Sequence, residues 1–239
     1  SIGDEAFYKC DALDLTSFTL PNSVTEVGYG IFGEIRVPVT IYNSSCFVIL
    51  EHSYSGAYTI PAGIKTIAGE AFLGCDVTSV IIPNSVTTIG LAAFADCTGL
   101  KSITIPNSVT NIETETFKSS GLTSITIPSG VKSIGEEAFE HCTSLASVTI
   151  PGSVTSIVKE AFHGCNNLTS ITSKIKVPFA IEENVFQYQD ASYNEQTIPA
   201  TLYVPVGTKS LYASTAGWSQ FANIVEKEFE DDDNGGGSV

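Results

Sequence analysis

Positive charge is scarce in this sequence. Lysine and arginine together number 11 against 26 aspartates and glutamates, and Arg36 is the only arginine. A protein that binds nucleic acid needs a basic face to displace the counterions of the phosphates. An anionic membrane surface attracts basic segments for a similar reason. The charge balance therefore argues against nucleic acid and against anionic membranes as partners.

Long apolar runs and methionine are both missing. No run approaches the roughly 18 residues that would indicate a membrane span, so we expect no membrane insertion by this segment. Methionine is absent even at position 1. We therefore expect the chain to begin after a processing boundary, which leaves any signal segment out of view.

Motifs for catalysis or metal binding are also lacking. The sequence has no glycine-rich phosphate loop and no closely spaced C-x2-C zinc pair. Two of the three histidines, His141 and His163, lie at neighbouring positions of successive repeat units, close to Cys142 and Cys165 in the sequence. A Cys–His couple is conceivable there, but other units carry unrelated residues in this slot. We predict no enzyme, no catalytic residue, no metal site and no cofactor.

The dominant feature of the sequence is an internal repeat of 22 or 23 residues. Phenylalanines recur from Phe72 to Phe162 in steps of 22, 23, 22 and 23 residues, and prolines from Pro61 to Pro151 follow the same steps. A repeat of this length is typical of a solenoid. Stacked coils would bury in one column the side chains of Phe72, Phe94, Phe117, Phe139 and Phe162.

One unit predicts the path of each coil. The alternation in Ile103–Thr104–Ile105 indicates a half-buried strand, which Pro106 ends because proline cannot donate the next ladder hydrogen bond. Val109 and Ile112 then form a second short apolar step. The equivalent of residues 135–142 has the length of one or two helical turns. Serine and threonine ladders on the outer side of the strands favour solubility over a shaped pocket.

The repeat is interrupted at residues 33–60, where the step between phenylalanines is 40 residues. Two β-rich runs around residues 43–45 predict a hairpin-like insertion. Insertions in solenoids often map to binding faces, and aromatic residues are enriched at interface hot spots. The candidate binding patch is therefore Tyr42, Phe47, His52, Tyr54 and Tyr58. The alternative is that these aromatic side chains pack the hairpin onto the rod.

Five of the six cysteines hold one position of the repeat, namely Cys10, Cys75, Cys97, Cys142 and Cys165. An even count in an exported protein suggests disulfides, and neighbouring coils would place Cys75 near Cys97. Side chains in phase on parallel coils fit the disulfide dihedral poorly. We therefore expect free thiols that face inward.

The C-terminal part departs from the repeat. A strand beginning at Thr201, a short helix ending near Gly217, and a closing strand predict a capping unit at 201–228. Solenoids need such a cap to cover the last apolar face, and Trp218 is the natural residue to provide it. Residues 229–239 are acidic and glycine-rich, which predicts a disordered tail or linker.

Ile-Pro-Asn-Ser-Val-Thr at 82–87 and 105–110, and Ser-Ile-Gly-Glu-Glu-Ala-Phe at 133–139, resemble the BspA-like leucine-rich repeats of bacterial surface proteins. So do residues 202–209 and 217–225, and the resemblance covers about residues 1–225. It implies an α/β repeat solenoid at 1–200, a right-handed curved superhelix of about eight coils with parallel strands and short helical or 3-10 turns.

The same resemblance implies an exported or cell-surface bacterial protein. Its expected role is that of a monomeric adhesion module for proteins or glycans on host or bacterial surfaces. Fold analogy is weak evidence for function, and a structural spacer that holds another domain away from the cell surface is the alternative.

Overall fold

A computed structural model of the chain describes residues 1–10, 15, 18–32, 40–51 and 53–229. Three parts of the sequence predictions lie outside these residues: the first part of the insertion at 33–39, His52, and the tail from residue 230 onward. The described residues form a parallel-strand β-solenoid of about eight turns with almost no helix.

The strands follow one another along the chain at regular intervals. Their bounds are β1 (Ile41–Tyr42), β2 (Cys46–Ile49), β3 (Ser55–Thr59), β4 (Thr66–Ile67), β5 (Asp76–Ile81), β6 (Thr88–Ile89), β7 (Ser102–Ile103), β8 (Asn111–Ile112), β9 (Ser124–Thr126), β10 (Ser133–Ile134), β11 (Ser147–Ile150), β12 (Ser156–Ile157), β13 (Ser170–Ser173), β14 (Gln187–Gln189), β15 (Glu195–Thr197), β16 (Thr201–Pro205) and β17 (Asn223–Lys227).

The first side of each coil is built from the longer strands, which pair in parallel in the orders β3-β5-β7 and β9-β11-β13-β16-β17. Equivalent residues of neighbouring coils lie opposite each other: Val148 pairs with Ile125 on one side and with Ile171 on the other. Because side chains alternate along a strand, these apolar residues all point inward while the serines and threonines between them point outward.

The second side of each coil is a pair of residues that follows the proline turn. These short strands are also parallel, in the orders β2-β4-β6 and β8-β10-β12. Ile134 lies opposite Ile112 and Ile157 and is fully buried. The second apolar step predicted from the sequence is therefore a second parallel ladder.

The third side, predicted as one or two helical turns, is not helical. In a helix every amide would donate to a carbonyl four residues back. Here the amides of Glu137, Phe139 and His141 donate to carbonyls of the next coil at 2.8–3.3 Å, while those of Glu140 and Cys142 donate to carbonyls three residues back. The third side thus contributes its own ladder between coils, and the α/β label of the sequence analysis is not confirmed.

This ladder depends on left-handed backbone at two positions of each coil. Within a coil, the two residues with positive φ are four positions apart, as Glu137 and His141 are. The non-glycine examples are Glu5, Lys9, Glu70, Ala92, Asp96, Glu115, Ser119, Glu137, His141 and Glu160. Each such residue costs roughly 1–2 kcal/mol relative to right-handed backbone. The hydrogen bonds to the next coil and the burial of the phenylalanine between the two positions offset that cost.

The interruption of the repeat holds an antiparallel pair, β1 with β2, joined at residues 43–45. Asn43 organises the turn: its amide nitrogen donates to the carbonyls of Pro21 and Val24 at 2.9 and 2.8 Å, and its oxygen accepts from the amides of Ser45 and Cys46 at 2.8 and 2.7 Å. One buried side chain thereby ties the hairpin to the preceding coil.

Strand β2 also separates two apolar cores. Cys46 and Val48 face a small N-terminal core that contains Phe32, whereas Phe47 belongs to the main core. The main core continues along the rod to Trp218. Both faces of β2 are therefore buried, as expected for a strand between two layers.

After the last regular coil, residues 183–229 no longer follow the conformation of the repeat. A 3-10 turn at Glu183–Phe186 leads into the antiparallel pair β14–β15, and the single α-helix of this part, α1 (Lys209–Ser214), lies between β16 and β17. Trp218 is fully buried, and its indole N–H donates to the Phe179 carbonyl at 2.9 Å. No helix among the described residues is long and apolar enough to span a bilayer.

Candidate functional site: a groove along the long strands

The outward side chains of the long strands form regular ladders of hydroxyl groups. Ser147 lies opposite Ser124 and Ser170, and Thr149 lies opposite Thr126. A groove of about 540 Å³ runs over this surface, with Ser102, Thr104, Ser124, Thr126 and Thr149 in its lining. The serine and threonine ladders of the sequence favoured solubility over a shaped pocket, whereas the structure has a groove on this face. The groove is lined by residues of several stacked coils, so no single unit of the sequence reveals it.

Toward the C-terminal end the groove continues into a larger cleft of about 1060 Å³. Both spaces are lined by Ser129 and Lys174, so they form one continuous depression. The groove of about 540 Å³ lies within the volume range of ligand sites in proteins, and the end cleft of about 1060 Å³ lies at the upper limit of that range.

The end cleft concentrates cations in an otherwise acidic chain. Lys174, Lys176 and Lys227 line it, although the chain as a whole carries a formal net charge of −15. Lys227 lies over the ring of Tyr203, 5.6 Å from its centroid. One acidic residue, Glu228, also lines the cleft, so lysines outnumber acidic side chains three to one in its described lining. An excess of one sign of charge in a cleft attracts groups of the opposite sign.

Apolar side chains stand beside these lysines. Val177 is 78% exposed and lines the cleft together with Phe179 and Val206. The described lining offers hydroxyls, cations and apolar contact. Its chemistry suits recognition of an extended ligand.

The patch predicted from the insertion is not a single exposed surface. Phe47 is fully buried and stacks on Phe72 at a centroid distance of 5.0 Å. Tyr58 packs edge-on against both rings, and Tyr54 packs against Tyr58. Tyr42 is 48% exposed, although its ring stacks on Phe47. The structure therefore places Phe47 in the core, leaves Tyr54 and Tyr58 partly buried, and makes Tyr42 the most exposed of the described residues of the patch.

Phenylalanines form one continuous column through the rod. Successive ring centroids from Phe72 to Phe162 lie 4.8, 5.5, 5.3 and 5.0 Å apart with nearly parallel planes. Phe47 extends the column at one end and Phe186 at the other, and Phe186 contacts Trp218. Parallel-offset rings at this spacing are a favoured aromatic arrangement.

The cysteines are free thiols, and five of the six are buried while Cys10 is exposed. The thiols of Cys97, Cys142 and Cys165 each donate to the carbonyl of a phenylalanine in the preceding coil, at 3.0–3.1 Å. Cys142 also contacts the hydroxyl of Ser120, which occupies the same position one coil earlier. No histidine contact of a thiol is found among the described residues, so the conceivable Cys–His couple does not form.

Native thiol reactivity should be confined to Cys10. Burial raises the pKa of Cys75 to about 11 and that of Cys142 to about 11, and it also raises the pKa values of Cys46, Cys97 and Cys165. The thiolate is the reactive form, so at pH 8 these groups remain protonated as well as shielded. We expect a thiol-specific chromogenic reagent to modify one cysteine rapidly in the native chain and all six in denaturant. Rapid reaction of a second native thiol would contradict this description.

Sequence comparison identifies the repeat. The model of the BspA type leucine rich repeat region matches in six copies over residues 1–62 and 65–193. The chain belongs to the BspA-type leucine-rich repeat family. The family resemblance inferred from the repeat motifs is thereby confirmed. No curated protein matches the sequence.

Solved structures similar to this BspA-type chain come from bacteria. The pneumococcal vaccine antigen PcpA is 18% identical over 88% of this chain and 56% of its own, with a TM-score of 0.54. The leucine-rich repeat protein TpLRR of T. pallidum is 29% identical over 53% of this chain and 62% of its own, with a TM-score of 0.49. A leucine-rich repeat protein from Eubacterium ventriosum is 24% identical over 65% of this chain and 44% of its own, with a TM-score of 0.45. This BspA-type chain thus spans about half of each of these proteins, and the likeness to PcpA supports the shared fold.

Proposed function

We propose that this BspA-type chain is an exported, non-enzymatic recognition module that acts as a monomer at the bacterial surface or after secretion. The groove along its long strands binds an extended segment of a protein or glycan on a host or microbial surface. The observation that carries this proposal is the continuous groove that runs from the hydroxyl ladder into the lysine-lined end cleft.

The chemistry of the groove favours a ligand with acidic groups. Hydroxyl groups can donate or accept hydrogen bonds along a chain of sugar or peptide groups, and the three lysines of the end cleft attract carboxylates or sulfates. Exposed Val177 and Val206 supply apolar contact beside them. Electrostatic complementarity of this kind adds specificity and speeds association.

Charge reversal in the end cleft should abolish most of the binding. The test is a binding screen of the purified chain against matrix proteins, mucin and bacterial glycans. Lys176→Glu/Lys227→Glu reverses two cleft charges, and Lys65→Glu/Lys132→Glu is the matched control, because it makes the same charge change at exposed lysines next to the short strands. We expect the cleft variant to weaken binding at least about tenfold and the control variant to change it less than about twofold.

Each outcome of this binding screen supports a different hypothesis about the site. Equal weakening by both double variants would contradict the groove and indicate unspecific attraction by net charge. Loss of binding only in a Tyr42→Ala variant would move the site to the exposed tyrosine of the insertion. Failure of the wild-type chain to bind any member of the panel favours the alternative function, a spacer that holds another domain away from the surface, which the uniform rod of stacked coils also suits.

We further propose that residues 201–228 act as the C-terminal cap of the solenoid. Strands β16 and β17 extend the long-strand sheet, and the buried side chains of Tyr212, Trp218 and Phe221 cover the end of the core. Burial raises the pKa of Tyr212 to about 12, and its hydroxyl donates to the Ile175 carbonyl at 2.8 Å. These contacts support a closing role, since an uncovered last coil would expose apolar surface.

A further inference from the structure

Two histidines and a glutamate converge on the third side of the rod. The carboxylate oxygen Oε1 of Glu140 lies 3.7 Å from Nε2 of His141 and 3.7 Å from Nδ1 of His163. All three possible ligand atoms lie within 4.8 Å of one another. Neighbours in an extended strand point to opposite sides, but the left-handed backbone of His141, with φ of 55°, brings its side chain toward that of Glu140.

The partly buried ring of His163 is oriented toward this centre. Its Nε2 faces the Glu195 carboxylate at 3.2 Å, so Nε2 carries the proton and donates it to the carboxylate. Its Nδ1 is buried and has no hydrogen-bond partner. A buried polar atom without a partner is costly. The lone pair of Nδ1 therefore points into the cluster, where no described group of the chain donates a hydrogen bond to it.

The other oxygen of the Glu140 carboxylate is already fixed. Its Oε2 accepts from the Lys118 ammonium at 2.7 Å, and Lys118 also pairs with Glu137. The Glu140 side chain is largely buried. This arrangement holds the carboxylate plane in place and leaves Oε1 directed at the two imidazoles.

A glycine makes room for the His141 ring. A Cβ atom added at Gly164 would lie 2.4 Å from Nδ1 of His141. Gly74 occupies the equivalent position four repeats earlier with a similar φ of 66°, and a Cβ there would meet nothing within 4 Å. The space that Gly164 leaves is thus filled by the imidazole that completes the cluster.

We propose that Glu140, His141 and His163 bind one divalent transition-metal ion, for which zinc is the best fit. Zinc takes imidazole nitrogen and carboxylate oxygen at about 2.0–2.2 Å in tetrahedral geometry, which places ligand atoms about 3.3 Å apart. The two distances of 3.7 Å from Glu140 need to shorten by a few tenths of an ångström, and the two histidine nitrogens, which lie within 4.8 Å of each other, need to approach by up to about 1.5 Å. His141 is 54% exposed at its side chain, so solvent completes the coordination.

The surroundings support this assignment. Glu195 and His163 form the carboxylate–histidine pair that commonly orients a metal-bound imidazole. Because the ligands come from two successive coils, the ion would fasten one coil to the next on the third side of the rod.

The test is a calorimetric titration of the tag-free full chain with zinc chloride. We expect one equivalent to bind, since the three ligands form a single site. His141→Ala should weaken binding at least about tenfold, and since its ring is exposed the change leaves the core intact. Glu136→Gln is the matched control, because this carboxylate pairs with Lys159 outside the cluster and should leave zinc binding unchanged.

A second pair of variants separates local geometry from general loss of stability. Gly164→Ala and Gly74→Ala impose a similar left-handed strain, but only Gly164→Ala drives a methyl group into the His141 ring. We expect weakened zinc binding in Gly164→Ala and wild-type binding in Gly74→Ala. Absence of stoichiometric binding by the wild-type chain, or affinity within about twofold of wild type in His141→Ala, would overturn the proposal.

Discussion

Replacement of Phe117 by alanine should lower the free energy of unfolding by about 3–5 kcal/mol. Phe117 is fully buried in the middle of the column and stacks on Phe94 and Phe139 at 5.5 and 5.3 Å. Its backbone is fixed by ladder bonds to the next coil, so the structure cannot close the cavity. Denaturant unfolding followed by circular dichroism would measure the change.

The matched control for Phe117→Ala is an apolar truncation outside the core. Ile81 is 64% exposed on a long strand, and Ile81→Ala should change stability by no more than about 0.5 kcal/mol. If Phe117→Ala and Ile81→Ala cost the same, the column does not stabilise the rod. A decrease in the slope of the denaturant curve would instead indicate that the solenoid no longer unfolds as one unit.

Replacement of Trp218 by alanine should cost a similar amount, about 3–5 kcal/mol, and should also cause self-association. Trp218 is fully buried against Phe186 and Tyr212. Its loss would uncover the last ring of the column, and an exposed apolar end of a solenoid is a surface for stacking on another copy. Sedimentation at several protein concentrations would detect the association.

Two comparisons make the Trp218 experiment specific for a cap. Trp218→Phe keeps most of the apolar volume but loses the indole hydrogen bond to the Phe179 carbonyl, so it should cost about 1–3 kcal/mol without association. Phe117→Ala opens a cavity inside the rod and should likewise leave the chain monomeric. Monomeric behaviour of Trp218→Ala at all concentrations would contradict the proposed cap.

The repeat made the architecture predictable because its signal lies in the kinds of residue and their spacing. Phenylalanine and proline recur in one phase over five coils, and stacking is the arrangement in which such coils bury their apolar sides. The strand at Ile103 and the second apolar step at Ile112 followed from alternation and from proline. Both are now seen as parallel ladders.

The third side was wrongly predicted as helical because its length and its Ala-Phe pair fit a helical turn equally well. A signal for the correct backbone was present, however. The position before the cysteine holds Gly74, Asp96 and Gly164 in different coils, and glycine and aspartate favour left-handed backbone. Lys9 and His141 at the same position concealed that preference.

The groove and the cluster of Glu140, His141 and His163 could not be predicted from the sequence for a different reason. Each is made by side chains from several coils whose distances depend on curvature and on small offsets between neighbours. The repeat phase brings His141 and His163 into adjacent coils, but it cannot give the 3.7 Å approach to Glu140 or the burial of Nδ1. The orientation of the Phe47 side chain could not be predicted either, because an aromatic residue in an insertion can pack inward or face a partner.

The identical register of neighbouring coils has a consequence at the level of the gene. Ser133 pairs with Asn111 of the preceding coil and with Ser156 of the following coil in the same parallel register. Each coil therefore presents equivalent pairing edges to its two neighbours. An in-frame duplication of 22 or 23 codons would therefore add one rung without disturbing those already present. The length of the rod becomes a heritable trait that can vary independently of its cross-section, while the non-repeating ends are inherited unchanged.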